Sequence, residues 1–147
     1  MTKKTIWHNP DISPDELTRR EGQSLASHLG IVITELGDDH VSASMPVDAR
    51  TLQPHGRLHG GASVALAETV GSLAANLTLD QTLQMAVGLE INANHVRPVK
   101  DGLVYATARP DALGRTTQIW SIRIVDAQLR LVCLSRLTMA VISVERK

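Results

Sequence analysis

The chain has 147 residues, the usual size of one domain, and 43% of them are apolar although aromatic residues make up only 2% and Phe is missing. Lys and Arg together number 15, as do Asp and Glu, so no net charge draws the chain toward nucleic acids or anionic membranes, and we expect neither as a partner. The single Cys133 excludes an internal disulfide, and the N-terminus has no apolar run of signal-peptide length, so we expect a cytoplasmic location.

The N-terminal segment predicts one short helix. Ser13 can cap this helix, Pro14 suits its first position, and Glu16 suits its third. We assign residues 1–24 to an N-terminal extension that carries the helix, and residues 25–147 to a single domain.

A β-hairpin and one long helix are the next predicted elements. Apolar residues at alternate positions predict a strand over residues 41–47, and residues 31–36 can form its partner across a turn at Gly37. A turn-rich loop follows, and then an apolar run predicts a helix over residues 60–79. This run contains Glu68, so we interpret it as a buried helix and not as a membrane span.

The second half of the chain has the alternation typical of strands. Turn signals that contain Gly or Asp separate the predicted strands, which cover residues 84–94, 102–109, 116–125 and 130–143. Short connections between successive strands favour an antiparallel meander. The predicted fold class is therefore α+β, with an antiparallel sheet against one long helix.

The long helix has two unlike faces. One face is aliphatic, which predicts that it packs on the sheet, and it consists of Leu66, Val70, Leu73 and Leu77. The other carries one carboxylate among mostly small residues, namely Gly61, Val64, Ala65, Glu68, Gly71, Ser72 and Ala75. Burial there would raise the pKa of Glu68, which suits a catalytic base or nucleophile. The alternative interpretation is an ordinary surface acid.

The start of this helix carries a second feature. His59 precedes Gly60 and Gly61, and the first N–H groups of a helix lack internal acceptors and can polarise a carbonyl. Gly60 and Glu68 differ by about 12 Å along the helix axis, so one carbonyl group cannot touch both. If both act on the same bond, two subunits of a homo-oligomer must share each site, with their helices antiparallel across a two-fold axis.

Two polar residues close to the helix start allow more than one interpretation. Gln53 could donate a hydrogen bond into the site, and His59 could orient the loop or a ligand. A solvated Gln in a turn and a His that only caps the helix are the alternatives.

Two other classes of hydrolase are less well supported by the same region. His55, His59 and Glu68 do not make a metal site, because no second carboxylate or Cys completes the set, and we expect no bound metal. Residues 61–65 nearly match the G-x-S-x-G motif of serine hydrolases. That motif requires a turn between a strand and a helix, whereas Ser63 is predicted inside the helix.

A resemblance to a known family rests on three segments, HLGIVITELGDDHVSASMPVD, QPHGRLHGGASVALAET and NHVRPV. These resemble the hotdog-fold acyl-CoA thioesterases of the phenylacetate-pathway and 4-hydroxybenzoyl-CoA type, in particular the enterobactin-proofreading and 1,4-dihydroxy-2-naphthoyl-CoA thioesterases. The resemblance covers roughly residues 25–142. It implies a sheet wrapped round one central helix and a dimer or a dimer of dimers. It also implies hydrolysis of an aryl or hydroxyaryl acyl-CoA to the free acid and CoA.

The same resemblance implies roles for individual residues. Glu68 matches the catalytic carboxylate, which either attacks the thioester or activates water, and Gly60 matches the backbone amide that polarises the thioester carbonyl. Gln53 and His59 match the pair that positions the substrate. Ser72 matches the hydroxyl that helps to position Glu68 and the attacking water.

Coenzyme A brings phosphates that need cations and hydrogen-bond donors. The candidate residues for binding CoA or the substrate are Gly61, Asn94, His95, Arg97, Arg115 and Thr116. Since CoA is part of the substrate, no separate cofactor is expected. Two alternatives keep the fold and change the function: a non-catalytic acyl-CoA-binding or sensor domain, and a hotdog enoyl-CoA hydratase.

Overall fold

The computed structural model describes residues 4–145 and has the predicted α+β architecture. Its elements in chain order are α1 (Pro14–Arg20), α2 (Leu25–His28), β1 (Val32–Leu36), β2 (Val41–Pro46), α3 (Gly60–Leu77), β3 (Gln84–His95), β4 (Leu103–Leu113), β5 (Thr117–Val125) and β6 (Leu131–Ser143). The six strands form one sheet, and α3 packs on one face of it. Among the helices of this range, none is long and apolar enough to cross a membrane.

The strand order places β3 at an edge of the sheet. The order is β1-β2-β4-β5-β6-β3, and all neighbouring pairs are antiparallel. The predicted meander is therefore correct for β4, β5 and β6 but wrong for β3. The chain leaves β2, crosses the sheet as α3 and returns on the far side, so β3 pairs with β6. One row of backbone groups along β3 consequently has no partner strand within the described residues.

The face of α3 that contacts the sheet contains more small residues than the prediction gives it. The aliphatic face is buried as predicted except for Leu73, which is half-buried and lines a cleft toward α1 and α2. The prediction places Gly71 and Ala75 on the same face as Glu68, but both are buried, as are most residues of the aliphatic face. A Cβ on Gly71 would lie 2.6 Å from Leu137 Cδ2. The missing side chain therefore lets the helix approach the sheet closely.

The N-terminal residues pack on the same core as the rest of the chain. The Trp7 ring stacks on Trp120 with 6.4 Å between centroids, and its Nε1–H donates to the Gly37 carbonyl at 2.6 Å. Leu17 of α1 is fully buried. α2, a four-residue helix that the sequence patterns do not predict, follows a turn and begins with a capping box at Ser24.

Candidate active site

Glu68 lies in the middle of α3, where two clefts meet. The first, which we call the helix cleft, has a volume of about 470 Å³ and separates α3 from α1 and α2. The second, which we call the strand cleft, has a volume of about 420 Å³ and lies between α3 and the centre of β3. Glu68 lines both, so its carboxylate is accessible from either side.

The carboxylate of Glu68 is half-buried and has no protein partner. Burial raises the pKa of Glu68 above its ordinary value. No side chain or backbone group of residues 4–145 donates a hydrogen bond to it or forms an ion pair with it. Its Oε1 lies against Gly88, only 2.5 Å from the point where a Cβ on that residue would stand. The space needed by the carboxylate therefore exists because residue 88 has no side chain.

A β-bulge shapes β3 at this point. The pairing of β3 with β6 changes register between Gly88 and Glu90, so Leu89 of β3 has no partner residue on β6. Leu89 is 62% exposed and lines the strand cleft together with Val64 and Ile91. The carboxylate is thus beside an apolar surface that nothing in the described chain covers.

The beginning of α3 contributes a third cleft, of about 360 Å³, which we call the loop cleft. Four of the predicted site residues line it, namely Gln53, Gly60, His95 and Arg97. The Gly60 N–H has no acceptor among the described residues. The His95 ring lies over Gly60, where a Cβ would come within 2.9 Å of its Nε2. A free amide donor and a His are therefore adjacent at the helix start.

His59 caps α3, which was one of the two interpretations that the sequence left open. Its Nδ1 accepts a hydrogen bond of 2.7 Å from the Gly61 N–H. The neutral ring must therefore carry its proton on Nε2, which remains free to donate. The Gly61 N–H is occupied by this bond, so Gly61 can only offer open space to a ligand, and it lines the strand cleft.

Gln53 and Ser72 are positioned by local contacts. The Gln53 Oε1 accepts a hydrogen bond from the His55 N–H inside the turn, which leaves the side-chain NH₂ group free to donate into the loop cleft. The Ser72 hydroxyl lies one turn beyond Glu68 and lines the helix cleft, and it donates a hydrogen bond to Met139 Sδ at 3.8 Å. Ser72 makes no hydrogen bond to Glu68 in this structure.

The remaining predicted binding residues are not brought to this end of the molecule. Asn94 points to the opposite face of the sheet, into a groove that it shares with Arg123 and Arg136. Arg115 and Thr116 lie in the turn between β4 and β5, next to the C-terminal end of α3, as the contact of Gln118 with Thr78 shows. Since α3 has 18 residues, that turn is about 27 Å from Gly60 along the helix axis.

The rival hydrolase sites can also be compared with the geometry. Within residues 4–145, no three His, Cys, Asp or Glu side chains are close enough together to hold a metal ion. Ser63 lies inside the first turns of α3 and is only 2% exposed, so it does not have the geometry of a nucleophile on a turn.

Residues that the sequence patterns do not single out also line the clefts. Leu17, Glu21 and Leu25 from the N-terminal helices form the outer wall of the helix cleft opposite Glu68. Gly88, which lines the strand cleft, is also a residue that the sequence patterns do not single out. A glycine inside a strand pattern commonly marks a bulge or a close approach, so this signal was present in the sequence.

Comparison with known proteins decides the family. The model of the Thioesterase superfamily matches residues 55–133, more than half of the chain. The chain belongs to this superfamily. A Haemophilus influenzae protein provisionally named an esterase is 53% identical over 129 residues, which cover 88% of this chain and 93% of the relative.

Solved structures agree with this assignment. A crystal structure of a thioesterase from Haemophilus influenzae superposes with a TM-score of 0.93 at 48% identity. The superposition covers 97% of this chain and 98% of the Haemophilus chain. A variant of a Pseudomonas aeruginosa thioesterase gives the same TM-score at 44% identity, with 95% and 100% covered. The predicted hotdog fold is therefore confirmed, and the protein is a hydrolase of the thioesterase superfamily.

Proposed function

We propose that the protein hydrolyses acyl-CoA thioesters whose acyl group is aryl or hydroxyaryl, in a homodimer that shares its active sites between subunits. The observation that carries the proposal is the half-buried and unpartnered carboxylate of Glu68 on a thioesterase-superfamily helix. A carboxylate without a partner keeps its lone pairs available. Its raised pKa makes it a better base than an exposed glutamate.

Glu68 acts on the thioester in one of two ways. It either removes a proton from a water molecule that attacks the carbonyl carbon, or it attacks that carbon itself and gives an anhydride that water then opens. In both routes the C–S bond breaks, and the CoA sulfur leaves as the thiolate and is protonated. The free Gly60 N–H stabilises the negative charge that develops on the carbonyl oxygen.

If Gly60 and Glu68 act on the same thioester, their spacing along α3 implies that two subunits share each site. Gly60 and Glu68 are separated by about 12 Å along the axis of one continuous helix. Val64 lies midway between them and lines the apolar strand cleft. A two-fold axis near Val64 would set two α3 helices antiparallel and bring the Gly60 of each beside the Glu68 of the other.

The edge strand supports the same arrangement. β3 has no partner strand on its outer side within the described residues, and Met85 and Leu89 on it are 42% and 62% exposed. Exposed edges that carry apolar residues tend to pair with another chain. Pairing of β3 with the β3 of a second copy would continue the sheet and cover the strand cleft.

The same arrangement would bring Arg115 and Thr116 of one subunit toward the loop cleft of the other, which Arg97 lines. Arg57 and Arg97 line the loop cleft, and neither forms an ion pair with another residue of the 4–145 range. In antiparallel helices that cross near Val64, the C-terminal end of one projects about 13 Å beyond the Gly60 of the other, on the side of the loop that precedes α3. Arg115 and Thr116 of the second subunit would then approach the loop cleft and add phosphate contacts.

Two variants of one relative support the assignment of Gln53 and Glu68. Solved structures of a Staphylococcus aureus protein include a glutamate-to-alanine variant and a glutamine-to-alanine variant, the latter called a thioesterase. The two replaced positions are separated by the same number of residues as Gln53 and Glu68. This chain is 40% identical to both structures.

Release of free thiol from a panel of CoA thioesters tests the reaction. We expect hydrolysis of benzoyl-, hydroxybenzoyl- and naphthoyl-CoA, with specificity constants above those of acetyl- and butyryl-CoA. Glu68→Ala and Glu68→Gln should lose at least about a hundredfold in turnover while keeping the melting temperature of the wild type. Glu90→Gln is the matched control, because Glu90 also lines the strand cleft but makes hydrogen bonds with Asn92. Normal turnover by Glu68→Ala contradicts the proposal.

Mixed dimers test the shared site. Glu68→Ala supplies an intact Gln53, whereas the double variant Gln53→Ala with His59→Asn supplies Glu68 and keeps a side chain that can cap α3. Each parent should be nearly inactive. After the chains are unfolded, mixed and refolded, half of the dimers are hybrids with one intact site, so about a quarter of the wild-type activity should return. No recovery, with exchange confirmed by native mass spectrometry, rules out shared sites.

A further inference from the structure

The helix cleft has a polar far wall that the catalytic reaction does not explain. Along α3 it runs from Glu68 to Leu77, about 13 Å of helix axis. Leu17, Leu25 and Leu73 give it apolar sides. An acyl group whose thioester lies at Glu68 can extend into this space.

Glu21 contributes a carboxylate to this wall from the N-terminal helices. It is the C-cap of α1, and Gly22 with a φ of 54° then turns the chain toward α2. Glu21 lines the helix cleft and is half-buried. It therefore lines the same cleft as Glu68, although it comes from a distant part of the chain.

The position of Glu21 is unfavourable for a carboxylate. Within residues 4–145 it accepts no hydrogen bond and forms no ion pair, since the guanidinium of the adjacent Arg20 is bonded to Glu16 at 2.6 Å. Burial raises its pKa. It also stands at the C-terminal end of a helix, where the backbone carbonyls carry partial negative charge. Burial and the helix end both disfavour the carboxylate, and no contact within residues 4–145 compensates for them, which indicates a role in binding a ligand.

We propose that Glu21 is a specificity residue whose carboxylate accepts a hydrogen bond from a hydroxyl or N–H group on the far end of the acyl group. The inference rests on the proposed function, because it assumes that the acyl group lies in the helix cleft. Glu21 then favours acyl groups that carry a donor over the same acyl groups without one. It also disfavours acyl groups that end in a carboxylate, since like charges repel in a half-buried cleft.

The strength of the expected preference follows from the type of bond. A hydrogen bond to a charged acceptor is stronger than one between neutral groups, and leaving a half-buried carboxylate unpaired costs binding energy. A preference of about ten- to a hundredfold for the donor-bearing substrate is therefore expected.

Specificity constants for a matched set of CoA thioesters test this proposal. The set contains benzoyl-CoA, its 2-, 3- and 4-hydroxy derivatives, and the corresponding methoxy derivatives, which have similar oxygens but cannot donate. The proteins compared are the wild type, Glu21→Gln, Glu21→Leu and the control Asp15→Asn. Asp15 is an exposed carboxylate on the same helix that does not line the cleft.

We expect the wild type to prefer at least one hydroxybenzoyl-CoA over both benzoyl-CoA and the methoxy analogue. Glu21→Leu should lower that ratio by about tenfold or more, because its specificity constant falls for the hydroxylated substrate and not for the others. Glu21→Gln should lower the ratio by less. Asp15→Asn should have the same ratio as the wild type. Because Glu21 makes no stabilising contact, neither variant should lower the melting temperature, and a clear loss of stability would instead indicate a structural role and contradict the proposal.

The outcomes separate this inference from the proposed function. If the wild type hydrolyses benzoyl-CoA and Glu21→Leu leaves every ratio unchanged, or lowers all substrates equally, the role of Glu21 is refuted and the proposed function stands. If the wild type releases no thiol from any CoA thioester, both are refuted.

Discussion

Gly88 controls the position of the carboxylate that we propose is catalytic, and replacing this glycine with alanine tests that relation directly. A Cβ on Gly88 would stand 2.5 Å from Glu68 Oε1, whereas ordinary contacts begin near 3.4 Å. The atom that must move is the end of a flexible side chain. The carboxylate should therefore shift by about 1 Å, while the backbone of β3 keeps its place.

A shift of this size is large for catalysis and small for stability. Misplacing a reacting group by about 1 Å can cost a hundredfold in rate, so we expect Gly88→Ala to lower kcat by about a hundredfold. Overpacking a well-packed core typically costs about 1–3 kcal/mol. Here Glu68 can turn away into either cleft, so the free energy of unfolding should change by less than about 1 kcal/mol.

The assay combines thiol release from the best CoA thioester with urea unfolding of the same preparations. Gly37→Ala is the matched control, because the same added methyl group would clash with the His40 ring, far from the active site. That variant should keep the wild-type kcat even if it is less stable. Wild-type kcat in a folded Gly88→Ala protein would refute the assigned position of Glu68.

Three further predictions concern protonation, CoA binding and assembly. Because burial raises the pKa of Glu68 and the carboxylate is the active form, kcat/KM should fall as the pH drops through a value above the ordinary glutamate range; a profile that stays flat down to about pH 4.3 contradicts this. Because the pKa of Glu68 is raised in the folded state, its ionisation lowers the free energy of unfolding as the pH rises through that pKa. The melting temperature of Glu68→Gln should therefore be no lower than that of the wild type at pH 7. Arg97→Ala should raise KM about tenfold for acyl-CoAs but not for acyl-N-acetylcysteamine thioesters, which have no phosphates; equal effects on both would show that Arg97 does not bind phosphate. Leu89→Lys should give inactive monomers by analytical ultracentrifugation, because it places a charge on the exposed edge of β3, and an active monomer would exclude the shared site.

Local patterns were sufficient to predict most elements of this fold. The period-two alternation and the turn residues predicted the strands to within a few residues, and β4 and β5 show the reason, since each has one buried and one more exposed face. The lone acid on an apolar helix singled out Glu68 as the candidate catalytic residue without any tertiary information, and the structure shows its side chain half-buried. These features are encoded within a short stretch of chain, so they can be read from it.

The features that local patterns missed depend on contacts between distant residues. Nothing within β3 states that its partner is β6, because a strand pattern is the same at an edge and at the centre of a sheet. Leu73 reads as part of the face that contacts the sheet, yet α1 and α2 cover the side of α3 on which it lies. The opposite orientation of Asn94 follows from the register of β3 after the bulge at Gly88, which shifts every later side chain relative to its partner.

One helix thus supplies two chemical groups that its own geometry keeps apart. The amide at the start of α3 and the carboxylate nine positions into it cannot meet on one thioester. The missing side chain of Gly88 gives the carboxylate room, and the cap at His59 uses the second amide and leaves the Gly60 N–H free of any acceptor among residues 4–145. Each local arrangement prepares one half of a site, and the uncovered edge of β3 is where a second copy would supply the other half. In this arrangement, catalysis and assembly depend on the same apolar surface.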